Sequence, residues 1–265
     1  MIKRYLVIAS RQDEAGMNIA TALSQFKNDL FDIYLVDGSI IHNSSIDETR
    51  LEPYEFILFA SRHESSKGDK TLSVHSPGNF RRADLGGQPG KVCPTSALFH
   101  KAIFENLIEM AKEHKMDNYA VTLEATHHGP LITKPCLFVE VGATKAEWRD
   151  KRAAFILAKT ISKTFEEYKP SKYHEVAVGI GGPHYCPNFN KTQANSNVAI
   201  SHIIPQYVLP ISEENILESI EKTQEEVDFI LLDWKGLGQA EQRDKIVEIL
   251  DKHHIRYKRT SEVNK

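Results

Sequence analysis

The sequence predicts an α/β protein of three layers. Short β-rich runs alternate with helical patterns along most of the chain, which is the pattern of a sheet covered by helices. Five of the twelve histidines, His63, His75, His127, His128 and His184, lie on or just past apolar, strand-like runs. Ligands bind at strand ends in open α/β sheets, so these imidazoles are expected to meet in one site.

The first strand is Tyr5 to Ala9. A helix follows from about Glu14 to Phe26, with Met17, Ile19, Ala20, Ala22 and Leu23 at helical spacing. Strands come next near Ile33 to Val36, Phe56 to Ala60 and Leu72 to His75. The stretch after His75, Ser-Pro-Gly-Asn-Phe-Arg-Arg-Ala-Asp-Leu-Gly-Gly-Gln-Pro-Gly-Lys, continues neither a helix nor a central strand and reads as a long functional loop. A helix capped by Thr95 or Ser96 then carries the apolar stripe Leu98, Phe99, Ala102, Ile103, Phe104, Leu107, Ile108 and Met110, which is core. Strands at Tyr119 to Glu124 and Cys136 to Val141 flank a His-His-Gly-Pro turn, and one long helix is expected from about Lys145 to Tyr168. The remainder reads as strand (Glu175 to Ile180), Gly-Gly turn, strand (Ala199 to Ile204), helix (Ser212 to Glu226), strand (Phe229 to Leu232) and helix (Gln239 to His253). With no internal repeat or flexible linker, residues 1–265 are expected to form one domain.

Composition narrows the function. The chain is 41% hydrophobic and 26% charged, as globular proteins are. No apolar run reaches the roughly 18 residues that cross a bilayer, and no signal-peptide cleavage pattern follows the N-terminus, so a cytoplasmic protein is expected. Cys93, Cys136 and Cys186 are far apart, which argues against a disulfide framework or a zinc ribbon. A formal net charge of −3 does not suggest a general nucleic-acid binder. The segment from Arg62 to Lys91 nonetheless holds six basic residues (Arg62, Lys67, Lys70, Arg81, Arg82, Lys91) against three acidic ones.

Three constellations carry chemistry. Glu124-Ala-Thr-His127-His128-Gly129-Pro130 puts a carboxylate and two imidazoles on a tight turn, so Glu124, His127 and His128 are candidate acid/base groups. Gly181-Gly182-Pro183-His184-Tyr185 combines a permissive backbone, able to bring amides to an oxyanion, with an acid/base group and an aromatic donor. Ser61-Arg62-His63-Glu64-Ser65 and Val74-His75-Ser76-Pro77-Gly78-Asn79 add an anion-binding arginine and further donors. No compact zinc spacing is present. A metal site would be assembled from several loops, out of His63, Glu64, His75, His127, His128, His184 and Glu140. Trp234, on the Leu-Asp-Trp-Lys-Gly-Leu turn, reads as packing, and His253-His254 as a helix end.

These same four segments, together with Leu232 to Leu237, resemble the archaeal and plant type of D-aminoacyl-tRNA deacylase over nearly the whole chain. The resemblance implies an α/β/α sandwich with a mixed sheet, similar to phosphorylase and peptidyl-tRNA hydrolase folds. It also implies a zinc-dependent hydrolase that cleaves the ester between a D-amino acid and the terminal ribose of tRNA. Ester hydrolysis needs an activated water, a stabilised oxyanion and a proton for the leaving oxygen. The water is assigned to a metal held by some of His63, His75, His127, His128 and His184, or to one of these imidazoles directly, with Glu124 as orienter, and the oxyanion to the backbone near Gly181 and Gly182. Arg62, Asn79, Arg81, Arg82 and Lys91 are assigned to the acceptor end of the tRNA, with Phe80 or Tyr185 stacking on its terminal adenine. The protein is expected to act as a monomer, without DNA or membrane partners. A nucleoside phosphorylase or other small-molecule hydrolase on the same fold is the competing enzyme. An RNA-binding module with structural histidines is the competing class.

Overall fold

A computed structural model describes residues 4–26, 29–170 and 175–263. Its strands form two main sheets. The first contains β1 (Tyr5–Ser10), β2 (Phe31–Val36), β3 (Phe56–Arg62), β4 (Thr71–His75), β7 (Ala120–Leu123) and β8 (Cys136–Gly142), in the order β2-β1-β3-β8-β4-β7. All neighbours are parallel except β4 and β8, so the sheet is mixed. The second sheet is parallel, in the order β10-β9-β11-β12, built from β9 (Glu175–Ile180), β10 (Val198–Ile204), β11 (Phe229–Leu232) and β12 (Tyr257–Arg259).

Central strands of such sheets are buried on both faces and read as unbroken apolar runs. In β1, Tyr5, Val7 and Ala9 face one core while Leu6 and Ile8 face another. The first core is closed by α1 (Glu14–Leu23), α2 (Ala97–Glu113) and α4 (Lys151–Glu167). The second is closed by irregular segments that contribute Ile40, Ile46, Leu51 and Ile132. The four-stranded sheet lies between α6 (Glu213–Glu221) and α7 (Ala240–Lys252) on one face, and α2 and α5 (Pro187–Asn195) on the other.

Several elements depart from expectation. The single helix from Lys145 is two, α3 (Lys145–Trp148) and α4, because the Asp150 carboxylate accepts from the amides of Arg152 and Ala153 and starts a new helix. The stretch after Cys186 is not only a turn: Pro187 opens α5 in the first-turn position that needs no amide donor. The loop after His75 includes a small ladder of β5 (Gly78–Asn79) and β6 (Lys91–Val92). A terminal strand, β12, and a short helix, α8 (Thr260–Val263), follow α7. Among the described residues no helix is long and apolar enough to cross a membrane.

Candidate active site

The strand order 2-1-3 makes the chain leave β1 in opposite directions on its two sides, which opens a crevice at the carboxyl ends of β1 and β3. A cavity of about 420 Å³ lies there, lined among others by Ser10, Asp13, Arg62, His63, His127, His128, Glu140 and His184. Asp13 fixes the crevice wall. Its carboxylate caps α1 by accepting from the Gly16 amide at 3.0 Å and ties down β3 by accepting from the Arg62 amide at 2.9 Å.

The floor is two buried carboxylates among five imidazoles. His63 Nδ1 stands 3.1 Å from Glu124 Oε1 and 3.6 Å from Glu140 Oε2. His184 Nε2 is 3.1 Å and His127 Nε2 3.6 Å from Glu124 Oε2. His75 Nε2 lies 3.7 Å from Glu140 Oε2, and His128 Nε2 4.0 Å from Glu140 Oε1. The ring centroids of His75 and His127 are 4.2 Å apart, and those of His127 and His128 4.3 Å. Local structure delivers these groups. Glu124 extends β7 through its amide bond to Val74, and the Gly78 amide donates to the His127 and His128 carbonyls. His128 has a left-handed backbone (φ 42°), which turns the chain between the two imidazoles. At Gly142 a Cβ would lie 2.6 Å from His63 Cβ, so glycine makes room for that side chain.

The charge states follow from these contacts. Burial opposes a charge on His63, but hydrogen bonding and attraction from Glu124 and Glu140 outweigh it and raise its pKa to about 11. Burial likewise disfavours the Glu124 and Glu140 carboxylates, yet the neighbouring imidazoles hold both below the ordinary glutamate value. Burial, then the neighbouring imidazoles, push His127 well down and His128 to about 4, so both are neutral at pH 7.

The donor set suits a metal. His127 Nδ1 is 2.8 Å from the Ala125 carbonyl, His128 Nδ1 2.6 Å from that of Gly129, and His75 Nδ1 3.3 Å from that of Ser76. A ring that donates through Nδ1 keeps Nε2 as a lone-pair donor, which is how metal-binding histidines are oriented. The three rings can bring ligand atoms within 4.8 Å of one another, as can His63, Glu124 and His184. His75 Nε2 and both Glu124 oxygens are buried without an aligned hydrogen-bond donor, although His63 and His184 stand 3.1 Å from Glu124. Buried polar atoms left open in this way are what a cation would satisfy.

The D-aminoacyl-tRNA deacylase family model matches residues 51–258. The chain belongs to this family. The D-aminoacyl-tRNA deacylase of Thermococcus kodakarensis is 36% identical, over 91% of this chain and 95% of that protein. That of Picrophilus torridus is 35% identical, over 87% and 90%, and that of Methanocaldococcus jannaschii 31%, over 97% and 99%. The crystal structure of a conserved protein of unknown function, AF0625, superposes with a TM-score of 0.89 at 28% identity, covering 99% of this chain and 97% of that one.

Within this deacylase-family fold, the five histidines and Glu124 come together as the sequence suggests, and Glu140 joins them. Tyr185 reaches the cluster through its hydroxyl, 2.9 Å from His63 Nε2. Arg62 lines the cavity and lies over the Trp148 ring. Other expected residues are placed differently. Glu64 lines the outer part of the cavity with an exposed side chain 3.9 Å from Arg62, so the carboxylate that joins Glu124 among the imidazoles is Glu140. Phe80 is buried in the core of the second sheet beside Val92 and Ile216, where no nucleobase can stack on it. Asn79 donates to the Gly86 carbonyl at 2.8 Å and braces its own loop. Arg81 donates to the Pro210 carbonyl, Arg82 pairs with Asp84 at 3.0 Å, and Lys91 pairs with Glu218 at 2.9 Å. The Gly181 amide already donates to the Ile204 carbonyl at 2.8 Å, and a Cβ on Gly182 would meet Asp233 Oδ2 at 3.0 Å. The pair makes room for the Asp233 turn, and the Gly181 amide is already engaged. Asp13 was not singled out in the sequence, though an Asp after a strand and just before a helical pattern is an N-cap signal. The three cysteines are free and buried.

Proposed function

We propose that this chain hydrolyses the ester of D-aminoacyl-tRNA, releasing the D-amino acid and intact tRNA. The observation that carries this reading is the buried Glu124–Glu140–histidine cluster opening onto the cavity in a member of the deacylase family. The names of the relatives favour it over the small-molecule alternative.

His75, His127 and His128 would hold zinc, offering the three imidazole donors that catalytic zinc sites use. Zinc, when bound, supplies Lewis acidity. The remaining work falls to side chains. Glu124, held by His63 and His184, accepts a proton from the attacking water as the new carbon–oxygen bond forms. The His63 imidazolium, in contact with the Tyr185 hydroxyl, returns a proton to the ribose oxygen as the ester bond breaks. Arg62, stacked on Trp148, takes a phosphate near the tRNA terminus. Ile40, Ile41 and the exposed Leu85 form an apolar wall for the amino-acid side chain.

The test is release of amino acid from D-aminoacyl-tRNA and the matched L-aminoacyl-tRNA by the purified protein. Selective loss of the D-ester supports the reading. Equal decay of both esters at the enzyme-free rate overturns it.

A further inference from the structure

The chain has two tryptophans, and both carry arginines against their rings. Arg62 lies 5.0 Å from the Trp148 ring centroid, and Trp148 Nε1 donates to the His63 carbonyl at 2.9 Å. Trp234, on the turn after β11, carries Arg259 at 3.9 Å and Arg243 at 5.4 Å. That turn is seated on the Gly181–Gly182 backbone: a Cβ on Gly236 would fall 2.3 Å from the Gly182 nitrogen. His184 follows Gly182 by two residues, at most about 7 Å of chain. The turn that carries Trp234 therefore packs against the glycine pair that leads into His184, at the same end of the second sheet.

The charges differ from those of the 81–91 loop. Residues 234–259 hold seven Lys and Arg against four Asp and Glu, in a chain of net charge −3. Lys245, Lys252, Arg256 and Lys258 are paired with Glu241, Glu213, Asp228 and Glu175. Among the described residues, no carboxylate lies within ion-pairing distance of Lys235, Arg243 or Arg259, and Arg243 Nε is buried without a hydrogen-bond partner. A guanidinium stacked on an indole is held in place while its in-plane N–H groups stay free, which is the arrangement that grips a phosphodiester.

We propose that Trp234, Arg243, Arg259 and Lys235 form a second RNA-phosphate clamp that holds the backbone of the tRNA acceptor end beside the cavity. The clamp rests on the deacylase reading for the identity of its RNA. Arg62 takes the phosphate nearest the ester, and this cluster takes the backbone farther along.

The test measures binding of uncharged tRNA across a salt series, using the full chain, the Arg243→Gln/Arg259→Gln double variant, Lys235→Gln and the control Lys245→Gln. The double variant is expected to lower the slope of log affinity against log salt by about two and Lys235→Gln by about one. Affinity of the double variant near 0.1 M salt falls about tenfold or more, and KM for D-aminoacyl-tRNA rises with kcat held. Lys245→Gln, outside the clamp, leaves the slope unchanged. Should the double variant not fold, Lys235→Gln, on an exposed turn, carries the test alone. Wild-type slope and affinity in the folded clamp variants overturn the proposal, as does an equal loss in Lys245→Gln or an absence of tRNA binding by the wild-type chain. Loss of slope in a protein that does not hydrolyse the D-ester keeps the clamp and sinks the deacylase reading, so the two failures are distinct.

Discussion

Glu124→Gln isolates the charge at the centre of the site. Gln keeps the volume of the buried side chain and removes its negative charge, 3.1 Å from His63 Nδ1 and 3.1 Å from His184 Nε2. At an effective dielectric of about 20, a unit charge pair at that separation is worth about 5 kcal/mol. Relief of a buried carboxylate's desolvation offsets several kcal/mol of this, so the variant is expected to lose about 1–3 kcal/mol of stability and to stay folded at 25 °C. With only Glu140 left as counter-charge, the His63 pKa falls from its raised value. Activity should change far more than stability, because the proton acceptor is lost and the His63 charge loses its nearer counter-ion. A general base contributes about 10²–10⁴-fold, and single-turnover release of D-amino acid should slow by that factor. The assay compares wild type and variant on one preparation of charged tRNA, with circular dichroism confirming the fold. A folded Glu124→Gln protein within fivefold of wild type would remove Glu124 from the mechanism.

Other outcomes follow from the same contacts. Phe80→Ala should cost about 3–5 kcal/mol in denaturant unfolding, because Phe80 fills the core beside Val92 and Ile216; a cost below 1 kcal/mol would contradict that placement. Incubation with a strong chelator should abolish D-ester hydrolysis and added zinc should restore it; chelator-resistant turnover would leave catalysis to the imidazoles and carboxylates alone. Stability should fall on acidification because of two histidines outside the site. Burial lowers His100 to about 4 and His202 to about 3, so unfolding takes up protons on both once the pH drops below the ordinary histidine value. Their stabilisation is complete above about pH 6.5 and is lost as the pH falls toward 4 and 3, on the order of 3–5 kcal/mol each. In His202→Gln, the dependence of unfolding free energy on pH between 6 and 4 should lose about one proton; an unchanged slope would refute the assignment.

Much of the frame was legible because burial writes itself into short apolar runs. β1, β3, β8, β9 and β11 are buried on both faces and stand out between polar or glycine-rich stretches. Less of the frame survives where an element is half-exposed or its partners are distant. In α5 only Phe189, Thr192 and Gln193 are buried, so it has no apolar stripe, and β12 is an edge of Tyr, Lys and Arg. The division into two sheets depends on pairings between remote strands, which local pattern does not encode. The histidine cluster was legible since each ring marks a strand end. Glu140 was harder to rank, sitting inside an apolar strand. Phe80 misled because its Gly- and Pro-rich surroundings look like a surface loop, whereas the ring turns into the second core. Lys91 looked like a free cation because its partner Glu218 is 127 residues away. Trp234 packs against the second-sheet core as expected, and its ring carries two arginines as well.

The central claim is that this cluster removes D-amino acids from tRNA. The most direct measurement is a single-turnover time course of amino-acid release from D-aminoacyl-tRNA and its L counterpart, run with the wild-type chain, with His127→Ala and without protein. The account predicts that the wild type hydrolyses the D-ester at least about 100-fold faster than the L-ester, and that His127→Ala falls by about 10²-fold or more. Decay of the D-ester at the protein-free rate, or a His127→Ala protein as fast as wild type, would contradict it.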